Sequence, residues 1–301
     1  MLTLRQMRYF DALATARHFG RAAEMVHISQ PALSVQIMEM EEYLGAKLIE
    51  RMRTNTMLTQ KGEEVLLHVR AILQQVDLLE QTARKGGGPL EGLIRIGIIP
   101  TVAPYLVPQF IPHLRRTYPS VDVELKEAVT DRLMADLSAG RLDAVIAALP
   151  LDIEGINTRP LFTDRFYMAV AENGENVLLS PLTENEVNVD RLLLLEEGHC
   201  LRDQALAVCS ASKRSLVNFG ATSMATLLQM VSHDMGMTLI PEMAIATETS
   251  RNSIRIVPFA EPQPSREIGL AWRRSSHRAK EMDALAEAII AASPVARDAA
   301  A

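Results

Sequence analysis

The sequence predicts an α/β protein with three successive parts: a small helical head, one long helix, and a larger domain of alternating strands and helices. Three observations support this division. Residues 1–60 alternate short apolar helical patterns with turn signals, residues 61–85 keep one unbroken helical period, and three glycines followed by Pro89 interrupt the chain. Beyond this hinge, assigned to residues 86–90, strand and helix patterns alternate to about residue 292.

The composition restricts the class of protein more than its function. Hydrophobic residues make up 48% and charged residues 23% of the 301 residues, which is typical of a globular protein. No apolar run reaches the ~18 residues of a membrane helix, and the N-terminus lacks a secretory signal, so we expect a cytoplasmic protein without a membrane partner. The net charge is −6, but residues 1–88 carry eleven basic and ten acidic side chains. Such a head can bind DNA only if its basic groups lie on one face.

The head has the pattern of a helix-turn-helix unit. Residues 27–29 form the turn, Ser29 is placed to cap the third helix, and Gly45 ends that helix. The inner positions repeat at helical spacing: Phe10, Leu13, Ala22, Ala23 and Val26 in the first two helices, then Leu33, Ile37, Met40 and Leu44 in the third.

The outer face of the third helix carries short hydroxyl and amide side chains, which suit hydrogen bonds to base edges and phosphates in a major groove. The stretch 48–59 predicts a β-wing whose two arginines meet phosphate or the minor groove. The predicted DNA contacts are Gln30, Pro31, Ser34, Gln36, Arg51 and Arg53.

The long helix carries a 3.5-residue apolar repeat, which predicts a seam against a partner helix. We favour an interface between two chains, and packing on its own domain is the alternative. The seam consists of Val65, Val69, Ile72, Val76, Leu79 and Ala83.

The larger domain begins with a βαβαβ order, which predicts a parallel sheet with helices on its faces. These elements are Leu93–Ile99, Tyr105–Tyr118, Val121–Ala128, Asp131–Ala139 and Asp143–Leu149. Further strands are predicted at Phe166–Ala171, Leu192–Leu195, Val217–Phe219, Thr238–Ile240 and Arg266–Trp272, with helices near Ser223–Met235 and His277–Ala292. These are too many strands for one small sheet. We therefore predict two lobes with a cleft, one formed by residues 91–163 and 267–296 and the other by residues 164–266.

The segment around Cys200 is the best candidate for chemistry. Gly198 breaks the preceding strand and good helix formers follow, so Cys200 is predicted at a helix start, with His199 and Arg202 close by. A helix N-terminus and a cation both lower the pKa of a thiol and make it reactive. An ordinary half-buried thiol fits the same pattern.

Cys209 is the second and last cysteine. If residues 201–209 form one helix, the Cα atoms of Cys200 and Cys209 lie about 13 Å apart, beyond the ~7 Å that a disulfide allows. A disulfide would then require refolding of the segment between them, as a two-state redox switch does. The alternative is that the two cysteines never meet.

The head also carries a family resemblance, in residues 19–23 (FGRAA), 29–34 (SQPALS) and 58–62 (LTQKG). These residues resemble the winged helix-turn-helix of LysR-type transcriptional regulators. The resemblance implies that helix Ser29–Leu44 enters the major groove of double-stranded DNA and that the long helix forms a homodimer, with dimers pairing into a homotetramer. It also implies a two-lobed, periplasmic-binding-protein-like regulatory domain and RNA polymerase as a partner.

A second resemblance covers residues 198–205 with Cys209, residues 99–106 and residues 127–130, which are similar to peroxide-sensing members of this family. It implies that hydrogen peroxide oxidises Cys200 to a sulfenic acid, that Cys209 resolves it as a disulfide, and that a thiol reductant system resets it. The residues implied around the peroxide are Thr101, Thr130, His199, Asp203 and Arg266, with Arg202 supporting the cysteine loop. Peroxide-responsive members often have a wing arginine where this chain has Thr54, so the wing residue that enters the minor groove stays open. By themselves, Thr101 and Thr130 fit helix or turn capping better.

Two other functions stay open from the residues alone. One is a LysR-type regulator that binds a small organic effector in the interlobe cleft, and the other is a thiol peroxidase, an enzyme against which the DNA-binding head argues. No metal-ligand spacing and no phosphate-binding glycine motif are present, so we expect neither a metal nor a cofactor.

Overall fold

Two units make up the chain, residues 1–85 and residues 86–301. The structure is a computed structural model that describes residues 1–51, 56–84, 89–174, 180–183, 186–209 and 220–295. Four sequence predictions lie outside these residues: Arg53 of the wing, glycines 86–88 of the hinge, the strand Val217–Phe219, and residue 296 at the end of the first lobe.

The first unit is a helix-turn-helix with a wing. Its helices are α1 (Leu4–Ala16), α2 (Phe19–Met25) and α3 (Gln30–Leu44), and its wing strands are β1 (Ile49–Arg51) and β2 (Thr56–Leu58), which pair antiparallel. The predicted cap is confirmed, because the Ser29 hydroxyl accepts a hydrogen bond from the Ala32 amide at 3.4 Å. Gly45 ends α3 at φ +65°, a left-handed conformation that costs glycine little. Most of the predicted inner stripe is confirmed, with Phe10, Leu33, Ile37 and Met40 fully buried. The prediction is wrong for Leu44, which is 37% exposed, because α3 ends at this residue and its last turn extends beyond the core.

A buried carboxylate joins α3 to the wing. Glu41 is 5% exposed, and its Oε1 accepts hydrogen bonds from the backbone N–H groups of Leu48 at 2.8 Å and Ile49 at 3.2 Å. Its Oε2 pairs with Lys47 at 2.8 Å. Burial by itself would raise the pKa of Glu41, but the Lys47 and backbone bonds outweigh it and hold that pKa below its usual value. Glu41 thus stays ionised and holds the first wing strand against the end of α3.

The long helix α4 (Gln60–Arg84) follows the wing, as predicted. Part of its apolar seam is already covered within the unit, because Val69 is 2% exposed and Val65 packs against the same core as α1 and α3. Ile72 and Leu79 are 40% and 70% exposed. The unit therefore leaves Ile72 and Leu79 of the seam exposed, where the sequence predicts a second chain.

The second unit contains the predicted parallel core. Strands β3 (Gly92–Ile98), β4 (Val121–Glu127) and β5 (Ala144–Leu149) are parallel, with β3 between the other two. Helices α5 (Ala103–Thr117) and α6 (Thr130–Ser138) are the crossovers. The βαβαβ prediction is confirmed, with element boundaries shifted by at most two residues.

One long strand of this unit pairs with different strands along its first and last parts. Strand β6 (Ile156–Ala171) pairs antiparallel with β11 (Ser265–Arg273) over its first part, and with β9 (Thr238–Pro241) and β10 (Ile254–Pro258) over its last part. The sheet order is β10-β6-β11-β5-β3-β4, with β9 also paired to β6. At the point where β6 changes partners, Asp164 lies opposite Arg266 of β11. The lobe boundaries expected at 163/164 and 266/267 fall at this cross-strand pair, and they stay a prediction.

The remaining described elements lie within the residues predicted for the second lobe, apart from the last helix and the 3-10 turn before it, which lie within those predicted for the first lobe. They are β7 (Leu194–Leu195), α7 (Cys200–Val208), β8 (Gly220–Ala221), α8 (Met224–Ser232), α9 (Glu242–Thr249) and α10 (Met282–Ala292), with single 3-10 turns at Val189–Arg191 and Ala279–Glu281. The result is the predicted mixed α/β fold of the periplasmic-binding-protein type. Among the described residues, no helix combines the length and apolarity needed to cross a membrane.

We predict that Glu41→Ala lowers the free energy of unfolding of the first unit by about 2–4 kcal/mol, because two buried N–H groups lose their acceptor. Glu41→Gln is the matched control, since it keeps an oxygen that accepts the two N–H bonds. It loses only the ion pair to Lys47, whose side chain is 76% exposed, and such a pair contributes about 0–1 kcal/mol. Urea denaturation of the full chain, with hydrogen exchange measured at the Leu48 and Ile49 amides, checks this. Equal losses in the two variants would contradict it.

Candidate functional site

Cys200 is the first residue of α7, as predicted. Strand β7 runs parallel to β8, and a tight turn of residues 196–199 connects β7 to the helix. Gly198 adopts φ +93° in this turn, a conformation that side chains other than glycine rarely adopt. The thiol therefore lies at a helix N-terminus beyond the carboxyl end of a parallel strand, the usual location of a binding site in α/β folds.

Thr101 and Thr130 occupy equivalent positions in the first lobe. Thr101 follows β3 just before α5, and Thr130 follows β4 as the first residue of α6. Neither hydroxyl caps its helix, because the N-caps are Val102 and Val129 and neither makes a side-chain cap hydrogen bond. The capping role that the residues alone favoured is therefore absent, and both hydroxyls are available for the site.

Arg266 is the central cation of the site and is almost completely buried. Its Nε and Nη2 bind Asp164 Oδ2 at 2.9 and 2.8 Å. Its Nη1 donates to Thr101 Oγ1 at 2.8 Å, and Nη2 donates to the Thr101 carbonyl at 3.2 Å. A guanidinium has five N–H groups, so one N–H on Nη1 is left without an acceptor among the described residues.

The Cys200 thiol experiences opposing influences. Burial raises its pKa, and the Arg266 charge, the Thr130 hydroxyl and the N–H groups at the start of α7 lower it without overcoming burial. The Thr130 hydroxyl faces the sulfur but the pair does not reach full hydrogen-bond geometry, and Thr130 Oγ1 has no other partner within the described residues. At rest, Cys200 is therefore a protonated thiol, and the groups that can stabilise its thiolate form lie beside it.

The cation near Cys200 is neither His199 nor Arg202, the two basic residues that lie close to it in the sequence. His199 is 9% exposed, and burial lowers its pKa, with Glu196 and Glu127 only partly offsetting this, so its imidazole is neutral at neutral pH. Arg202 donates from Nη1 to the Leu195 carbonyl at 2.9 Å, which ties α7 back to β7. Arg266, 66 positions further along the chain, carries the charge instead.

Asp203 is exposed in the first turn of α7, and no contact described in the structure joins it to Cys200 or Arg266. Its carboxylate lies near the helix N-terminus, where negative charge stabilises the helix. Its predicted role beside the peroxide stays a prediction.

Three buried polar atoms near Cys200 have no hydrogen-bond partner among the described residues: Thr130 Oγ1, His199 Nδ1 and Gln204 Oε1. Gln204 lies one helical turn after Cys200, on the same face of α7. Buried polar atoms without partners are costly and rare in proteins. All three atoms therefore remain able to hydrogen-bond a small polar molecule beside the thiol.

Cys209 lies at the other end of α7, at its C-cap, and is 3% exposed in the hydrophobic core. Both cysteines are thiols and no disulfide joins them. The helix between them is continuous, so the predicted separation of about 13 Å applies to this state. A disulfide would require α7 to unwind.

A second buried contact lies beside the Arg266 cluster. The Tyr105 hydroxyl of α5 donates to Glu248 Oε1 of α9 at 2.9 Å, and Asn252 Nδ2 donates to Glu248 Oε2 at 3.2 Å. Burial, followed by the Glu248 carboxylate, raises the pKa of Tyr105 far above its usual value, so the phenol stays protonated. The pair joins α5 to α9 one helical turn beyond Thr101.

Sequence reasoning missed Asp164, Glu248 and Gln204. Asp164 was detectable as the single acidic residue of strand β6, and Gln204 as the residue one turn from Cys200. Nothing in the sequence identified Glu248, because its partner Tyr105 is 143 positions away.

The predicted DNA contacts lie on the first unit. Gln30 and Pro31 begin α3 and are exposed, Ser34 and Gln36 are half-buried, and Gln36 Nε2 donates to Glu39 Oε2 at 2.9 Å. Arg51 ends β1. Among the described residues, no group of three or more His, Cys, Asp or Glu side chains has the arrangement of a metal site.

Comparison with known proteins agrees with this architecture. Residues 4–63 match the family described as bacterial regulatory helix-turn-helix protein, lysR family, and residues 87–294 match the LysR substrate binding domain. The chain belongs to the LysR family of bacterial regulators.

One relative known by its function and two solved structures are similar to this chain over nearly its whole length. The DNA-binding transcriptional dual regulator OxyR of Escherichia coli K12 is 39% identical over 289 residues, which cover 96% of this chain and 95% of that protein. A full-length OxyR variant from Pseudomonas aeruginosa is 34% identical with a TM-score of 0.77, over 97% of this chain and 99% of that one. A hydrogen-peroxide-bound OxyR mutant from Corynebacterium glutamicum is 32% identical with a TM-score of 0.66, over 99% and 96% of the two chains.

Because burial raises the pKa of Cys200, we predict that its alkylation by iodoacetamide accelerates about tenfold per pH unit from neutral pH up to that pKa. Thr130→Val is expected to shift the profile to higher pH and slow alkylation at pH 7, with no effect once the thiol is fully ionised. A Cys209→Ser background limits the readout to one cysteine, and Thr249→Val, an exposed threonine bonded within its own helix, is the control. Coincident profiles for Thr130→Val and its parent would contradict the role of the hydroxyl.

Proposed function

We propose that this protein is a cytoplasmic, homo-oligomeric transcription regulator that senses hydrogen peroxide through Cys200. The observation that carries the proposal is the location of this thiol at the N-terminus of α7, beside Arg266 and beside the Thr130 hydroxyl, which faces the sulfur and has no other partner among the described residues. The similarity to OxyR proteins over nearly the whole chain supports the same function.

The chemistry uses groups already described. As peroxide enters, the Cys200 thiol loses its proton, and the thiolate attacks one peroxide oxygen. The O–O bond breaks, the sulfur becomes a sulfenic acid, and the second oxygen leaves as hydroxide that takes up a proton to become water. The open N–H of Arg266 and the Thr130 hydroxyl stabilise the negative charge that develops on this leaving oxygen.

Cys209 completes the reaction. Its thiol condenses with the sulfenic acid, which forms the S–S bond and releases a second water molecule. Because α7 holds the two cysteines about 13 Å apart, the disulfide is reached only from an unwound segment. Oxidation thereby becomes a change of shape in the second lobe.

The head converts this change into a DNA signal. Residues 1–88 have a balance of only one positive charge, so bulk electrostatics contribute little to binding. The contacts are those of Gln30, Pro31, Ser34, Gln36, Arg51 and Arg53, repeated in two or four copies of the chain. The spacing of the copies, set by the redox state of Cys200, then determines which operators are bound.

Further partners follow from the same proposal. RNA polymerase is the partner of the DNA-bound protein, and a thiol reductant system returns the disulfide to two thiols. The protein is not an enzyme, because each chain is oxidised once and then waits for reduction.

We predict that peroxide changes the DNase footprint of the wild-type protein on its operator and leaves the footprint of Cys200→Ser unchanged. The Cys209→Ser variant separates the two steps, since it is oxidised at Cys200 but forms no disulfide, and we expect it to keep the reduced footprint. Identical responses of wild type and Cys200→Ser to peroxide would refute the sensor.

We also predict that Ala207→Gly, at an exposed position of α7, accelerates disulfide closure in Cys200-oxidised protein by up to about fivefold, because glycine weakens a helix by about 1 kcal/mol relative to alanine. Ala246→Gly, at an exposed position of α9, is the matched control and is expected to leave the rate unchanged. Closure is followed by the loss of free thiols after one equivalent of peroxide. Equal rates in the two variants would show that unwinding of α7 does not limit the reaction.

A further inference from the structure

A second sulfur, the thioether of Met243, lies beside Arg266 and its partners Asp164 and Thr101. The Sδ atom of Met243 lies 3.9 Å from Arg266 Nη2, and the backbone N–H of Met243 donates to Asp164 Oδ1 at 3.1 Å. Met243 is 5% exposed. Its thioether is therefore shielded from bulk solvent and borders the same guanidinium that acts on Cys200.

From this contact we propose that Met243 is a second peroxide-oxidisable site, converted to methionine sulfoxide at peroxide levels above those that oxidise Cys200. The inference rests on the proposed function, because it requires peroxide to enter this buried site. A thioether is neutral and a weaker nucleophile than a thiolate, so Met243 reacts after Cys200.

The step balances with peroxide as the only oxidant. A sulfur lone pair of Met243 attacks one peroxide oxygen, the O–O bond breaks, and an S–O bond forms. The other oxygen leaves as hydroxide and takes the proton from the oxygen bound to sulfur, which gives sulfoxide and water. Sulfur is oxidised by two electrons and peroxide is reduced, and the open N–H of Arg266 stabilises the leaving hydroxide as it does for Cys200.

The sulfoxide would alter the cluster that produced it. A thioether is a weak acceptor, whereas a sulfoxide oxygen is polar and accepts strong hydrogen bonds. The new oxygen competes with the Thr101 carbonyl for Arg266 Nη2 and draws the guanidinium toward α9. The next oxidation of Cys200 then becomes slower, because less positive charge faces its sulfur. The disulfide is reset by thiols, but the sulfoxide requires methionine sulfoxide reductase.

The chain supplies its own control for the site. Met224 in α8 is equally buried, at 5% exposed, and lies in the same hydrophobic core as Met243. Among the described residues, the sulfur contact of Arg266 is with Met243 and not with Met224. In the full-length reduced protein, treated with increasing hydrogen peroxide, peptide mass spectrometry follows sulfoxide at both methionines and the state of Cys200. We expect Met243 to be oxidised at least about tenfold faster than Met224, with the difference lost in denaturant.

A two-cycle experiment tests the consequence. Protein oxidised with excess peroxide is reduced with dithiothreitol, and the rate of Cys200 oxidation is measured again. We expect a several-fold slower second cycle in wild type, recovery after treatment with methionine sulfoxide reductases A and B, and equal first and second cycles in Met243→Leu. The Met224→Leu variant should behave as wild type.

The outcomes separate the two proposals. If Cys200 is oxidised but Met243 forms sulfoxide no faster than Met224, this inference is overturned and the proposed sensor stands. A second cycle that slows equally in Met243→Leu overturns the effect on Arg266. Absence of Cys200 oxidation at any peroxide level overturns the proposed function itself.

Discussion

The packing of the second unit, residues 86–301, depends on the buried ion pair between Arg266 and Asp164. The two residues face each other across β6 and β11 at the point where β6 changes partners. Both side chains are removed from water, so each charge needs the other, and loss of either would leave an uncompensated buried ion. Asp164 also accepts the Met243 amide, while Arg266 binds Thr101. One ion pair thus joins β6, β11, α9 and the start of α5.

This pair also creates the chemistry. A thiol as buried as Cys200 would be inert in an apolar core, because burial favours its neutral form. The guanidinium, the Thr130 hydroxyl and the helix N-terminus oppose burial without cancelling it. The site therefore holds a protonated thiol at rest and provides the groups that stabilise charge once a polar oxidant enters. Polar atoms on Thr130, His199 and Gln204 have no hydrogen-bond partner among the described residues, and leaving them so carries a free-energy cost.

Helix α7 separates the two thiols and so determines what oxidation does. With Cys200 at its first residue and Cys209 at its C-cap, the folded helix itself prevents the disulfide. In the proposed mechanism, the same nine-residue helix whose N-terminus lies beside Cys200 must unwind before the disulfide can form. Glu41 has a comparable role in the head, where one buried carboxylate holds the wing against α3. Both units depend on a few polar contacts inside apolar cores.

The sequence alone determined most elements of the head and of the parallel core, because local patterns decide them: the Ser29 cap, the Gly45 stop, the βαβαβ alternation and the start of α7 at Cys200 are all encoded within a few residues. It did not identify α9, β10 or the first ten residues of β6. Family resemblance supplied the names of Thr101, Thr130 and Arg266, but not their contacts. The tertiary structure decided which cation faces Cys200, since His199 is neutral and Arg202 is bound to β7. It also decided the partners Asp164, Met243 and Glu248, which lie 36, 43 and 48 positions from Cys200 in the sequence. Such contacts depend on strand register and helix packing, and these follow from the whole fold rather than from any segment of it.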